Sequence, residues 1–211
     1  MSTVILADSR LKGIEKQHQF PSSRFTFNVK SGSQIKDHKI FVKHLSKGHR
    51  QYQLYIIAVG INDIPEDIAD KTPSEIEKLV TKIKAKFRSL CKSIKEISPE
   101  ASIVIATIPP KCLLQSVRKY PRKSTINEHD ITKHHQKSFE HFVSRINSFI
   151  DEFNVQRTGK HLSLHTNLRT HRGRRRCKYT YHKLTDGLHP GQELKREWWD
   201  RILDLHQSLT H

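Results

Sequence analysis

Short apolar runs alternate with longer amphipathic stretches along this chain. Thr3-Val4-Ile5-Leu6 is a compact apolar run at the start. Phe25, Phe27 and Val29 alternate with polar residues, the period of a strand whose two faces differ. Tyr52 to Val59 is almost continuously apolar, as expected of a strand buried on both faces. Ser102 to Ile108 is a second such run, ended by Pro109-Pro110, and His161 to His165 predicts a fifth strand. Between these runs the apolar spacing changes to three and four. Residues 10–18 allow a turn or two of helix, and 33–45 carries Ile35, Ile40, Phe41 and Leu45. Ile76, Leu79, Val80, Ile83, Phe87, Leu90 and Ile94 predict a long amphipathic helix. It opens at Thr72-Pro73-Ser74-Glu75, with Thr72 or Ser74 as its cap, and Pro99 ends it. Phe139, Phe142, Val143, Ile146, Phe149 and Ile150 form the core stripe of a helix over 128–154. A last helix is predicted over 190–209, with Pro190 near its first turn. It carries Trp198 and Trp199, one expected in the core and the other half-buried or at an interface.

Five strands separated by helices predict an α/β fold with a parallel sheet covered on both faces. The 211 residues suffice for one such domain, and neither a repeat nor a boundary divides them. Two segments depart from the pattern as basic loop insertions, at about 111–127 and 167–183. The first holds Lys111, Arg118, Lys119, Arg122 and Lys123 without an acidic residue.

Charge extends this picture. The chain has 38 Lys and Arg against 21 Asp and Glu, a net charge of +17. Such an excess favours anionic partners, nucleic acid or an anionic membrane surface among them. No stretch approaches the roughly 20 apolar residues that span a bilayer, and the first eight residues do not form a signal peptide. Cys91, Cys112 and Cys177 are an odd, scattered set that suits reduced thiols better than disulfides. These features predict a cytoplasmic or nuclear protein.

The candidate chemistry sits at expected strand ends. Ala7-Asp8-Ser9 follows the first apolar run, where ligands bind in open α/β sheets. Ser9 is a candidate nucleophile at the start of a helical turn whose N–H groups can stabilise an oxyanion; Asp8 or Ser9 also fits as an ordinary helix cap. Gly60-Ile61-Asn62-Asp63 follows the central strand, and Asn62 offers a side-chain amide donor, although an Asx turn reads the same way. Asp186 and His189 stand three apart. The carboxylate can orient the imidazole, and the imidazole can take the Ser9 proton. A capping Asp beside a surface His is the alternative, in a chain with 15 His. Read together, the motifs supply a nucleophile, a base with its orienting acid, and an oxyanion donor. A G-x-S-x-G elbow, a P-loop and a G-x-G-x-x-G are all missing, which disfavours an ordinary α/β-hydrolase and the nucleotide folds.

On these residues the chain resembles the SGNH (GDSL-type) hydrolases over nearly its whole length. The family's first block matches Ala7-Asp8-Ser9, its second-block glycine Gly32, its third block Gly60-Ile61-Asn62-Asp63, and its fifth block Asp186-Gly187-Leu188-His189. The resemblance implies a flavodoxin-like three-layer α/β/α sandwich and a serine esterase or acyl hydrolase working through an acyl-enzyme, without metal or organic cofactor. It implies a triad of Ser9, Asp186 and His189. It also implies an oxyanion hole from the Ser9 and Gly32 backbone N–H groups and the Asn62 amide. Two positions depart from the family pattern. Ala7 stands where glycine is usual, and its methyl is expected to tighten the turn or narrow the pocket. Arg10 stands where leucine is usual, and is expected either to favour anionic acyl groups or to be solvated.

The Ser31–Asp37 stretch and Asp186-Gly187-Leu188-His189 also resemble, more narrowly, the SGNH domains of retroelement proteins and of related animal proteins; one relative, the OSK domain of Oskar, has this fold, lacks the catalytic residues and binds RNA. This narrower resemblance supports a second expectation, a module that binds RNA or DNA. Arg169, Arg172, Arg174, Arg175, Arg176 and Lys178, interleaved with Tyr179 and Tyr181, are the candidate nucleic-acid residues, since such mixtures hold phosphates and stack bases. A solvated loop or a nuclear targeting signal fits the same run. His165, His171, Cys177 and His182 have zinc-binding residue types but irregular spacing, so no metal site is assigned.

Overall fold

The computed structural model describes residues 2–14, 24–45, 52–164 and 181–209. Four strands, β1 (Thr3–Ala7), β2 (Phe25–Val29), β3 (Leu54–Ala58) and β4 (Ser102–Ile105), form a parallel sheet in the order β2-β1-β3-β4. Among the described residues five α-helices accompany them: α1 (Ile35–Leu45), α2 (Pro73–Ile97), α3 (Leu113–Lys119), α4 (Lys133–Thr158) and α5 (Gln192–Ser208).

Strand alternation sends side chains to two cores. Val4, Leu6, Tyr55, Ile57, Ile103 and Ile105 pack under α1, α2 and α4, against residues such as Val42, Phe87 and Phe142. Ile5, Ala7, Ile56, Ala58 and Val104 pack under α5, against Leu194, Trp198 and Ile202. Trp198 and Trp199 are both buried, so the expectation of one half-buried tryptophan fails. The reason is local: Trp199 meets the Phe25 ring edge-on at 5.5 Å.

Helix α2 opens as its sequence predicts. The Thr72 hydroxyl accepts from the Glu75 amide, the Glu75 carboxylate accepts from the Thr72 amide, and Pro73 occupies the first turn. Helix α4 starts later than expected. Glu128–Asp130 forms a separate 3-10 turn, and Thr132 caps α4 by accepting from the His134 and His135 amides. Among the described residues, no helix is long and apolar enough to cross a membrane.

Among the described residues, the fifth strand is reduced to a single bridge, Ala106 to Leu162. Two buried asparagines of α4 explain why. Asn154 accepts from the Ile105 amide at 3.0 Å and donates to its carbonyl at 2.7 Å. Asn147 does the same to Ile108, at 2.7 and 2.9 Å. Side-chain amides thus take the backbone groups that a fifth strand would have used, and Pro109-Pro110 offer no donor beyond.

Segment 111–127 differs from the loop expected of it. Leu113 and Val117, four apart, are buried and fold it into α3. The buried Glu66 carboxylate then ties its two ends together, accepting from Lys111, the Ser124 hydroxyl and the Thr125 amide.

Candidate active site

The order β2-β1-β3 places a topological switch point beside β1, because the chain leaves β1 toward opposite sides of the sheet. Ser9 begins a 3-10 turn directly after β1, and Gly60 leaves the neighbouring β3, whose Ala58 pairs with Ala7. Gly60 has φ +124°. A Cβ there would lie 2.7 Å from Ile108 Cδ1, so the turn carrying Asn62 requires glycine.

Asp8 caps the Ser9 turn from complete burial. Its Oδ1 accepts from the Arg10 amide at 3.0 Å and from Arg10 Nε at 2.9 Å, and its Oδ2 from Arg10 Nη2 at 2.8 Å. Arg10 is only 4% exposed and also donates to the Pro109 carbonyl. Both expectations for Arg10 are therefore overturned. It is neither solvated nor turned to an anionic acyl group, because Asp8 holds its guanidinium inside. The Ala7 methyl likewise packs in the core beneath α5 rather than narrowing the cavity at Ser9.

His189 lies within reach of Ser9, with Nε2 2.9 Å from Oγ. Its Nδ1 lies 2.8 Å from Asp186 Oδ2. Asp186 Oδ1 accepts from the backbone amides of Leu188 and His189, at 3.1 and 2.8 Å. Burial pushes the Asp186 pKa up. Bonds from the His189 amide and ring, the Tyr120 hydroxyl and the Leu188 amide outweigh it and hold the value at about 2. Asp186 is thus ionised at neutral pH and only accepts, so the neutral imidazole carries its proton on Nδ1 and Nε2 accepts from Ser9.

A closed turn presents the pair. Leu184 and Pro190 bridge antiparallel, and the Thr185 amide donates to the His189 carbonyl at 2.8 Å. Gly187 has φ +77°, and a Cβ on it would lie 2.6 Å from Gln115 Cβ and 2.8 Å from the Cys112 carbonyl. The turn therefore seats directly on the start of α3.

Tyr120, at the end of α3, donates to Asp186 Oδ2 at 2.7 Å and sets its ring edge-on to His189 at 6.2 Å. Its own pKa is raised, chiefly because its proton serves Asp186. Sequence reasoning missed it. It stands 66 residues from Asp186, and its only local signal is the Leu113/Val117 spacing of α3.

Asn62 and Gly32 belong to two loops that lock together. Asn62 Nδ2 donates to the Ser33 carbonyl at 3.0 Å, and Gln34 Nε2 to the Asn62 carbonyl at 3.2 Å. Asp63 is buried, accepting from the Ile35 amide and from Lys86 Nζ, at 2.8 and 2.6 Å. Among the described residues the Ser9 and Gly32 amides have no acceptor. His38 supports this loop from below. Asn28 Nδ2 donates to His38 Nδ1 at 3.1 Å, which leaves Nε2 as the donor to Ser33 Oγ at 2.9 Å, and Ser33 Oγ donates to the Lys30 carbonyl at 2.8 Å.

Burial lowers the His38 pKa to about 4, against the opposing pull of Asp8 and Asp37. The unfolded chain takes up this proton near pH 6.5, before the folded protein does. Stability is therefore expected to fall as pH drops from 6.5 to about 4, with His38 accounting for up to about 3 kcal/mol. Denaturant midpoints at pH 7 and 4.5 check this, and His38→Gln should narrow the difference between them. An equal difference in the variant would assign the acid sensitivity elsewhere.

The basic candidates separate. Arg169, Arg172, Arg174, Arg175, Arg176 and Lys178, like His165, His171 and Cys177, lie outside the described residues. In the 111–127 segment Lys111 pairs with Glu66, Arg118 with Glu128, and Lys123 lies over the Tyr120 ring. Three of the five cations are thus engaged within the chain.

A model of the GDSL-like lipase/acylhydrolase family matches residues 5–202. The chain belongs to this family. Comparison with curated proteins by sequence found no match. Solved structures share the fold of this GDSL-like protein at low identity. A carbohydrate esterase family 3 protein from Talaromyces cellulolyticus is 13% identical with a TM-score of 0.61, covering 100% of this chain and 99% of its own. An extracellular lipase from Streptomyces rimosus is 15% identical with a TM-score of 0.58, covering 97% and 98%. A provisionally assigned acylhydrolase from Bacteroides fragilis is 13% identical with a TM-score of 0.64, covering 100% and 88%. The GDSL-like family supports hydrolysis of carboxylic esters as the activity class, whereas neither RNA binding nor a retroelement origin finds support in these likenesses.

Proposed function

We propose that the protein hydrolyses carboxylic esters through Ser9, His189 and Asp186. The observation that carries this reading is the chain of contacts from Ser9 Oγ to His189 Nε2 and from His189 Nδ1 to Asp186, at 2.9 and 2.8 Å. Ser9 Oγ attacks the ester carbonyl carbon as its proton passes to His189 Nε2. The ionised Asp186 stabilises the imidazolium and keeps the Nδ1 proton in place. The carbonyl oxygen becomes an oxyanion facing the free Ser9 and Gly32 amides and the second Asn62 amide hydrogen, all pre-set by the loop contacts described above. His189 then returns its proton to the alcohol, which leaves an acyl group on Ser9. Water, deprotonated by the same nitrogen, attacks that acyl group and releases the acid.

The deciding experiment is labelling with a fluorophosphonate, which reacts only with a serine activated in place. A single adduct on Ser9, mapped by mass spectrometry, is expected; labelling that persists in Ser9→Ala, or none in the wild type, sinks the proposal. Tyr120→Phe removes one of four bonds to Asp186. It is expected to lower kcat about tenfold with KM little changed, since the lost bond goes to a charged group that matters most when His189 is protonated. Steady-state kinetics checks this, and an unchanged kcat would make the tyrosine dispensable.

A further inference from the structure

The ester must enter the cavity of about 460 Å³ that holds both Ser9 and His189. Resting on the hydrolase reading above, we infer that its substrate is an anionic ester, whose carboxylate or phosphate is held between Lys12 and Lys195. Both lysines line that cavity, together with Ser31 and Thr185, and among the described residues no carboxylate does. Lys12 closes the turn that Ser9 begins, its amide donating to the Ser9 carbonyl at 3.1 Å. Lys195 belongs to the first turn of α5, six residues after His189, and its Nζ lies 3.9 Å from where a Cβ on Gly13 would sit. Two elements, one leaving each reacting residue, thus bring a lysine to the same cavity.

Several other lysines are engaged in ion pairs. Lys86 is paired with Asp63, Lys111 with Glu66 and Lys183 with Glu197. Among the described residues Lys12 and Lys195 form no ion pair, which leaves both ammonium groups available to an anion in the cavity. An anionic acyl or alcohol group gains from both charges, and a neutral one from neither. A second cavity, beyond Asn62, is also basic, with five lysines against Asp63 and Glu66, but it reaches neither Ser9 nor His189. It serves as the internal control for the effect of general charge.

The charge can sit on either side of the ester bond, and two substrate pairs distinguish the sides. Mono-4-nitrophenyl succinate against 4-nitrophenyl butyrate tests the acyl side; 4-acetoxybenzoate against its methyl ester tests the alcohol side. The readout is the ratio of kcat/KM for the charged ester to that for the neutral one. In Lys12→Glu/Lys195→Glu this ratio is expected to fall about tenfold or more in at least one pair, because attraction becomes repulsion. The wild-type ratio is expected to shrink in 0.5 M salt. Lys82→Glu, in the second cavity, should leave the ratio unchanged. Neutral esters hydrolysed normally, with no change of ratio in either pair, would overturn the inference and leave the hydrolase reading intact. An equal fall in Lys82→Glu would also overturn it, in favour of diffuse steering. If the wild type cleaves none of the four esters, the hydrolase reading itself fails and takes the inference with it.

Discussion

Ser9→Ala should reduce kcat for a simple 4-nitrophenyl ester by about 100,000-fold, the loss typical of removing the nucleophile from a cooperating triad. The protein should remain folded, because the Asp8 cap binds the turn through its backbone and Arg10, not through the Ser9 hydroxyl. His189→Ala should cost about as much, and the double variant little more, since the two residues act as a unit. Additive losses would show that they work separately. Retention of wild-type activity within about tenfold in Ser9→Ala would exclude Ser9 as the nucleophile.

Asp8→Ala is expected to cost about 3–5 kcal/mol of stability, measured by denaturant unfolding, because it strands a buried guanidinium. All three of the bonds between these residues are lost together. Asp8→Asn combined with Arg10→Met should recover most of that loss. The asparagine keeps an acceptor for the Arg10 amide position, and no charge remains to be buried. A single-variant cost under about 1 kcal/mol would mean that water reaches Arg10 despite its burial.

Much of this fold was legible because its signals are local. Apolar runs and three-and-four spacing suffice for β1, β3, α2 and the core of α4, where burial follows directly from residue type. The grouping of Ser9, His189 and Asp186 was legible because short motifs place them at strand ends. What escaped depends on partners remote in sequence. Tyr120 acquires its place only when α3 seats on Gly187. Arg10 looked like surface because charge usually is, and only the Asp8 carboxylate two residues earlier makes its burial affordable. The fifth strand was a reasonable expectation from His161 to His165, since nothing in a helical stripe announces that Asn147 and Asn154 will turn inward. Both asparagines lie within a helix whose apolar stripe alone accounts for its position.

Those two asparagines have a bearing on behaviour in solution. A sheet's outer strand ordinarily invites another chain to add itself alongside, the route to strand exchange and fibrous aggregates. Here the backbone of Ile105 and Ile108 is already committed to α4. Replacing either asparagine with an apolar residue of similar size would do more than loosen a helix. It would free backbone donors and acceptors at the β4 edge for pairing with another chain.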